Sequence, residues 1–209
     1  METAVRSTGL LRRTIEFFFP PAVSTLQELH DFITGEASYL AQKTVVGYCR
    51  VKTMLDFDKL LTEPAFREGY DITRWEGYAG ALGDSLILLE GLLRPADEPR
   101  RTRLADSVAA FYPLWLGEHL PPHRQNWDDW HAGFAARFAL SRQAEPVRPD
   151  IVIRDTAKMI HEMVPIADRL KRNDHEVILG DLRLHAVAMH TQMLKRFRRE
   201  ALVQALTAD

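Results

Sequence analysis

Asp71-Ile72-Thr73-Arg74-Trp75-Glu76-Gly77-Tyr78-Ala79-Gly80-Ala81-Leu82-Gly83-Asp84-Ser85-Leu86-Ile87-Leu88-Leu89-Glu90-Gly91-Leu92-Leu93 is the stretch whose reading decides the fold. Trp75, Tyr78, Leu82, Leu86 and Leu89 recur at three and four, the period of a helical face rather than of a strand. The spacing predicts one helix over about 71–93, ended before Pro95, since proline disfavours helical geometry in the residue it follows. Gly77, Gly80 and Gly83 recur at intervals of three within it. A glycine in a helix interior costs about 1 kcal/mol relative to alanine. Three of them need compensation. A neighbouring helix lying close against the bared backbone would supply it; a small ligand or cofactor resting there is the alternative.

The same period runs outward in both directions. A first helix over 9–19 stops at Pro20-Pro21. Ser24 is placed to cap a second, with Gln27 as its reciprocal partner, and Leu26, Leu29, Phe32, Ile33, Leu40 and Val45 give that helix an apolar stripe as far as Phe57. Thr62 before Glu63-Pro64 is another start signal. Helices are further predicted over 100–118, with a kink at Pro113, from Asn126 through 142, over 150–163, and briefly after Pro165 to Arg172. Asn173 or Asp174 would cap a long last helix over 175–206. The nearest thing to a strand, Asp150 to Arg154, runs into a helical pattern. The expected fold is all-α, an irregular antiparallel bundle of seven or eight helices with no sheet. One helical domain over 1–209 is expected, with 1–20 an N-terminal amphipathic helix and 147–209 a C-terminal hairpin packed on the rest.

A chain of 209 residues can bury roughly 70 % of the surface its unfolded form exposes, so it needs no disulfide or metal to fold. The single cysteine, Cys49, cannot form an internal disulfide, which fits a reducing compartment. The net charge of −2 argues against nucleic-acid binding, because acidic residues elsewhere balance the basic runs Arg100-Arg101-Thr102-Arg103 and Lys195-Arg196-Phe197-Arg198-Arg199. No apolar run reaches the length of a membrane span, and the best, Tyr78 to Leu93, is interrupted by Asp84 and Glu90. The N-terminus lacks the compact apolar core of a secretory leader. A cytoplasmic location is expected.

Gly83-Asp84-Ser85-Leu86 resembles the nucleophile signature of hydrolases of the Gly-Asp-Ser-Leu type. The resemblance implies a serine esterase with Ser85 as nucleophile and a histidine as base, either His131 with Asp128 or His185. It covers four residues and fragments. Asn173-Asp174 lacks the glycine of the family's Gly-x-Asn-Asp block. Asp128-x-x-His131 precedes Asn173, where the family's Asp-x-x-His pair follows it. A serine in mid-helix also has neighbouring amides already bonded within the helix, which leaves no oxyanion donors. The residue-level reading is a small polar group at a helix contact. The eight histidines show neither paired Glu-x-x-His motifs nor zinc spacing, so no metal and no cofactor is expected.

Surfaces carry the remaining signals. Arg12 and Arg13 beside Phe17, Phe18 and Phe19 combine basic and aromatic groups as membrane-surface helices do, and as a helix docking on its own core would. Trp127 and Trp130 share one face of a helix start, the residue type of core anchors and of binding hot spots. The last helix could serve as a homo-oligomer seam, although no clean heptad persists along its apolar side. The function expected on these grounds is non-catalytic: a cytoplasmic interaction, scaffold or assembly protein with a protein partner, touching the inner face of the membrane through residues 9–19. Serine esterase and small-ligand or cofactor-binding bundle are the alternatives.

Overall fold

A computed structural model describes residues 21–208. The amphipathic segment 9–19, with Arg12, Arg13, Phe17, Phe18 and Phe19, lies outside the described residues. The elements in order are α1 (Leu26–Thr53), a 3-10 turn (Met54–Asp56), α2 (Phe57–Leu60), α3 (Pro64–Leu93), α4 (Glu98–Gly117) and α5 (Asp128–Arg142), then α6 (Pro149–Val152), α7 (Arg154–Met163), α8 (Asp168–Lys171), α9 (His175–Arg196) and α10 (Arg199–Thr207). The fold is an all-α bundle. Among the described residues the one extended pairing is a single parallel bridge between Val23 and Phe197.

α3 is the axis of the molecule. It starts on Pro64, a residue suited to a first turn because its missing N–H would have no partner there. Glu63 precedes it as the cap residue, so the start signal at Thr62-Glu63-Pro64 and the helix expected from about 71 belong to one helix, which begins at Pro64. From Glu76 to Glu90 every residue is buried. A helix apolar on one face lies on the surface of a bundle; one hidden all round lies inside it. α1, α4, α5, α7 and α9 all touch α3.

The three glycines let these neighbours approach. A Cβ at Gly77 would stand 3.3 Å from Ile160, and one at Gly83 would stand 3.2 Å from Phe134. At Gly80 the fit is closest: a Cβ would lie 2.7 Å from Thr156 Oγ1 and 2.9 Å from its Cγ2. The compensation for glycine in this helix is therefore mainly close helix contact.

Local signals place the ends, with corrections. Thr25, not Ser24, caps α1, and Glu28, not Gln27, completes the capping box. Ser24 instead donates its amide to the Glu28 carboxylate at 2.8 Å. Trp127 rather than Asn126 precedes α5, while Asn126 Oδ1 accepts the Asp128 amide at 3.1 Å. The expected helix over 150–163 divides at the fully buried Ile153. The expected helix over 175–206 divides at Phe197. There Val23 donates its amide to the Arg196 carbonyl and accepts the Arg198 amide, both at 2.9 Å, diverting backbone groups from the helical ladder. The Phe197 ring meets Phe32 edge-on at 5.1 Å. Among the described residues no helix is long and apolar enough to cross a membrane.

Replacing Gly80 by alanine forces Thr156 to move and is expected to cost about 1–3 kcal/mol, the range for overpacking. Gly35, inside α1, has nothing within 4 Å of an added Cβ, so Gly35→Ala is expected to stabilise by about 0.5–1 kcal/mol. Urea unfolding followed by circular dichroism checks both signs; equal effects at the two positions would contradict the close-contact role of Gly80.

Candidate functional site

Three carboxylates lie along the buried stretch of α3, and each meets an arginine. Glu76 accepts from Arg124 Nε at 2.5 Å and Nη2 at 2.6 Å, and from the Trp130 indole N–H at 2.6 Å, with His123 Nε2 at 2.8 Å. Asp84 accepts from Arg137 Nη2 and from the Thr156 hydroxyl, the latter at 2.6 Å. Glu90 accepts from Arg94 Nε at 2.9 Å and Nη2 at 2.7 Å. The arginines also reach other elements. Arg137 donates to the Val152 carbonyl, and Arg94 donates to the Ala144 and Ser141 carbonyls. The pairs thereby tie the connection after α4, the helix α5 with the chain that follows it, and the end of α6 to one buried axis.

Environment separates the carboxylates. For Glu76, burial acts to raise the pKa, but the hydrogen bonds from Arg124, His123 and Trp130, with the charge of Arg124, outweigh it. The carboxyl is held below the ordinary value of 4.5. For Asp84, burial dominates, and Arg137 and Thr156 oppose it only in part, so its pKa is raised.

Ser85 sits next to this framework and is fully buried. Its hydroxyl donates to the Ala81 carbonyl one turn earlier, at 2.7 Å, and lies 3.4 Å from the Met189 sulfur. Among the described residues no imidazole is within hydrogen-bond reach of it. His131 is turned edge-on to the Tyr112 ring at 6.0 Å, its Nε2 buried without a partner. Asp128 is exposed in the first turn of α5. His185 lies on α9 between the Tyr39 ring and the Asp181 carboxylate. The fold does not gather Ser85, His131 and Asp128 into a nucleophile, base and orienting acid. Cys49 is buried, and burial pushes its thiol pKa up to about 12, away from nucleophilic use. Among the described residues no group of three or more metal-ligating side chains is placed to hold an ion.

Of the two roles open to Trp127 and Trp130, core anchor and binding hot spot, their contacts here are those of anchors. Trp127 is buried and donates its indole N–H to the His119 carbonyl at 3.0 Å, with the Arg124 guanidinium 4.7 Å over its ring. Trp130 is half-buried and bound to Glu76. A cavity of about 200 Å³ opens beside Gly83, walled by Tyr112, Trp130, Phe134 and Met159. A larger one of about 480 Å³ lies between α1 and α3, lined by Ser38, Gln42, Arg74, Trp75, Tyr78 and His119.

α9 carries a regularly spaced exposed row on the side away from the core. Ile178, Leu182, Ala186, Met189 and Met193 face the core. A second row, Val177, Gly180, Leu184, Val187, Thr191 and Leu194, repeats at three, four, three, four and three. Val177 is 58 % exposed, Leu184 67 % and Leu194 60 %. From the sequence alone this helix has one apolar side, from which the outer row is not separated. The signal was the 3–4 spacing itself, masked because α9 carries apolar residues on two faces. No protein-family model, curated protein or solved structure matches the chain.

Arg137→Met leaves the Asp84 carboxylate buried without its cation and is expected to cost about 3–5 kcal/mol; adding Asp84→Asn should recover at least about 1 kcal/mol of that. Equal losses in the single and double variants, measured by chemical unfolding, would show that the two groups are not coupled. The Glu76 pKa is lowered on folding, so its contribution is fully present above about 4.5 and is lost as the pH falls through the folded-state value. The stability difference between wild type and Glu76→Gln should therefore narrow on acidification below that pH. A difference that stays constant would place the Glu76 pKa at its unfolded value.

Proposed function

We propose that this chain is a non-catalytic interaction module whose outer α9 face pairs with a helix of a protein partner. The supporting observation is the exposed row from Val177 to Leu194. Its 3–4 spacing is the seam of a helix pair, in which apolar side chains seat between those of the facing helix. The core does not use this row, because the inner face of α9 already serves it. The reading is further supported by Ser85, whose hydroxyl is engaged inside its own helix. The free, buried Cys49 fits a working place in the cytoplasm. The arginine and phenylalanine run at 12–19 offers the inner membrane surface as an additional contact.

A second reading, small-ligand binding, is favoured by the cavity between α1 and α3, whose 480 Å³ falls within the usual range for ligand sites. Native mass spectrometry of the purified chain distinguishes it by added mass.

The α9 proposal is tested with a photoreactive residue in place of Leu184, compared with one in place of the exposed Arg148. One discrete adduct at position 184, lost when Val187→Asp is added while the circular dichroism spectrum is retained, is the expected result. No adduct at 184, or the same adducts at both positions, would contradict it.

A further inference from the structure

The two basic runs that stand about a hundred residues apart meet in the fold. α4 and α10 begin beside the end of α3 and the chain that follows α5, and together they enclose a cleft of about 720 Å³. Arg100 and Arg101 reach it from the first run, Arg199 from the second, and Arg94 and Arg142 complete its wall.

These five guanidinium groups are not equivalent. Arg94 is fully engaged with Glu90 and with two carbonyls. Arg101 donates Nε to the Pro95 carbonyl and Nη2 to the Ala96 carbonyl, with its Nη1 3.2 Å from Glu98. Both hold the wall in shape. Arg100 and Arg142 have their nearest carboxylates at 3.9 Å (Asp97) and 3.6 Å (Asp106), beyond hydrogen-bond distance. Among the described residues Arg199 commits only Nη2, to the Arg94 carbonyl at 3.0 Å. With respect to the described residues, three arginines thus present open donors to one cleft. The first turn of α10 has no side-chain cap, and its Arg199 and Glu200 line the same wall, adding partial positive charge there.

Three carboxylates also line the cleft. Asp97 caps α4 by accepting the Arg100 amide at 3.1 Å. Glu145 and Glu200 remain as competitors for the open arginines. A singly charged anion gains little against two such competitors. A ligand with several charges, spaced to engage two or three guanidinium forks at once, gains more, because each fork offers paired, charge-assisted hydrogen bonds. The cleft is concave and its size is that of a small-molecule site. A nucleic acid would instead need an extended basic face, which a chain of net charge −2 does not suggest. We propose that this cleft binds a small molecule carrying two or more phosphate groups, held by Arg100, Arg142 and Arg199.

The test is calorimetric titration of the full chain with inorganic pyrophosphate, a nucleoside triphosphate and orthophosphate, at low and at high salt. Pyrophosphate or the triphosphate should bind at one site, orthophosphate at least about tenfold more weakly, and added salt should weaken both. Arg100→Gln and Arg142→Gln should each weaken binding about tenfold or more, the size expected for losing hydrogen bonds to a charged group, with unfolding midpoints unchanged. Arg148→Gln, outside the cleft and paired with Asp150, should leave binding as it was. Absence of binding at low salt would overturn the proposal, as would equal weakening by Arg148→Gln. So would tighter, Arg100-dependent binding to duplex nucleic acid or to anionic vesicles, because the cleft would then serve a different class of partner.

Discussion

A helix with no route to water can keep a carboxylate only against a cation. α3 is such a helix from Glu76 to Glu90, and its three buried acids meet Arg124, Arg137 and Arg94. The consequence is positional. Arg124 belongs to the connection after α4, Arg137 to α5, and Arg94 to the end of α3 itself, from which it grips the carbonyls of Ser141 and Ala144. An apolar core accepts many arrangements of nearly equal energy, whereas a buried pair accepts the one that completes it. Removing one partner costs much more than replacing both, which makes these pairs devices of arrangement more than of net stability.

The glycine row belongs to the same logic. Thr156 reaches the Asp84 carboxylate because α7 lies almost on the backbone of α3 at Gly80. A side chain there would push the hydroxyl away from its acceptor. Close contact and charge satisfaction are thus one feature viewed from two helices. Ser85, one residue after Asp84, has the role of a small group in a crowded place. Its tetrapeptide spells a hydrolase signature, but its hydroxyl is bonded back onto the helix that carries it.

Periodicity made most of this architecture legible. The apolar spacing in 71–93, the proline stops and the capping residues place most helix ends to within a few positions, although α3 begins at Pro64, well before the expected start near 71. What escaped has identifiable causes. Asp84 and Glu90 registered only as interruptions of an apolar run; their partners lie on elements that no local pattern connects to α3. The break at Phe197 depends on Val23, distant in sequence, taking the backbone bonds that would have continued the helix. Trp127 and Trp130 were read correctly as a pair on one turn. Whether such a pair faces in or out depends on acceptors elsewhere, here the His119 carbonyl and Glu76. The outer row of α9 was hidden by an inner row of the same composition, and the arginine cleft by the distance between its two source runs.

Native-state hydrogen exchange tests the central role of α3 most directly. If the buried acid–arginine pairs make this helix the axis on which the others are assembled, the amides from Gly77 to Glu90 exchange only through global unfolding. They are then the slowest in the chain, with one common opening free energy. Opening of that segment well below the global value, while α1 or α9 stays protected, would contradict the account.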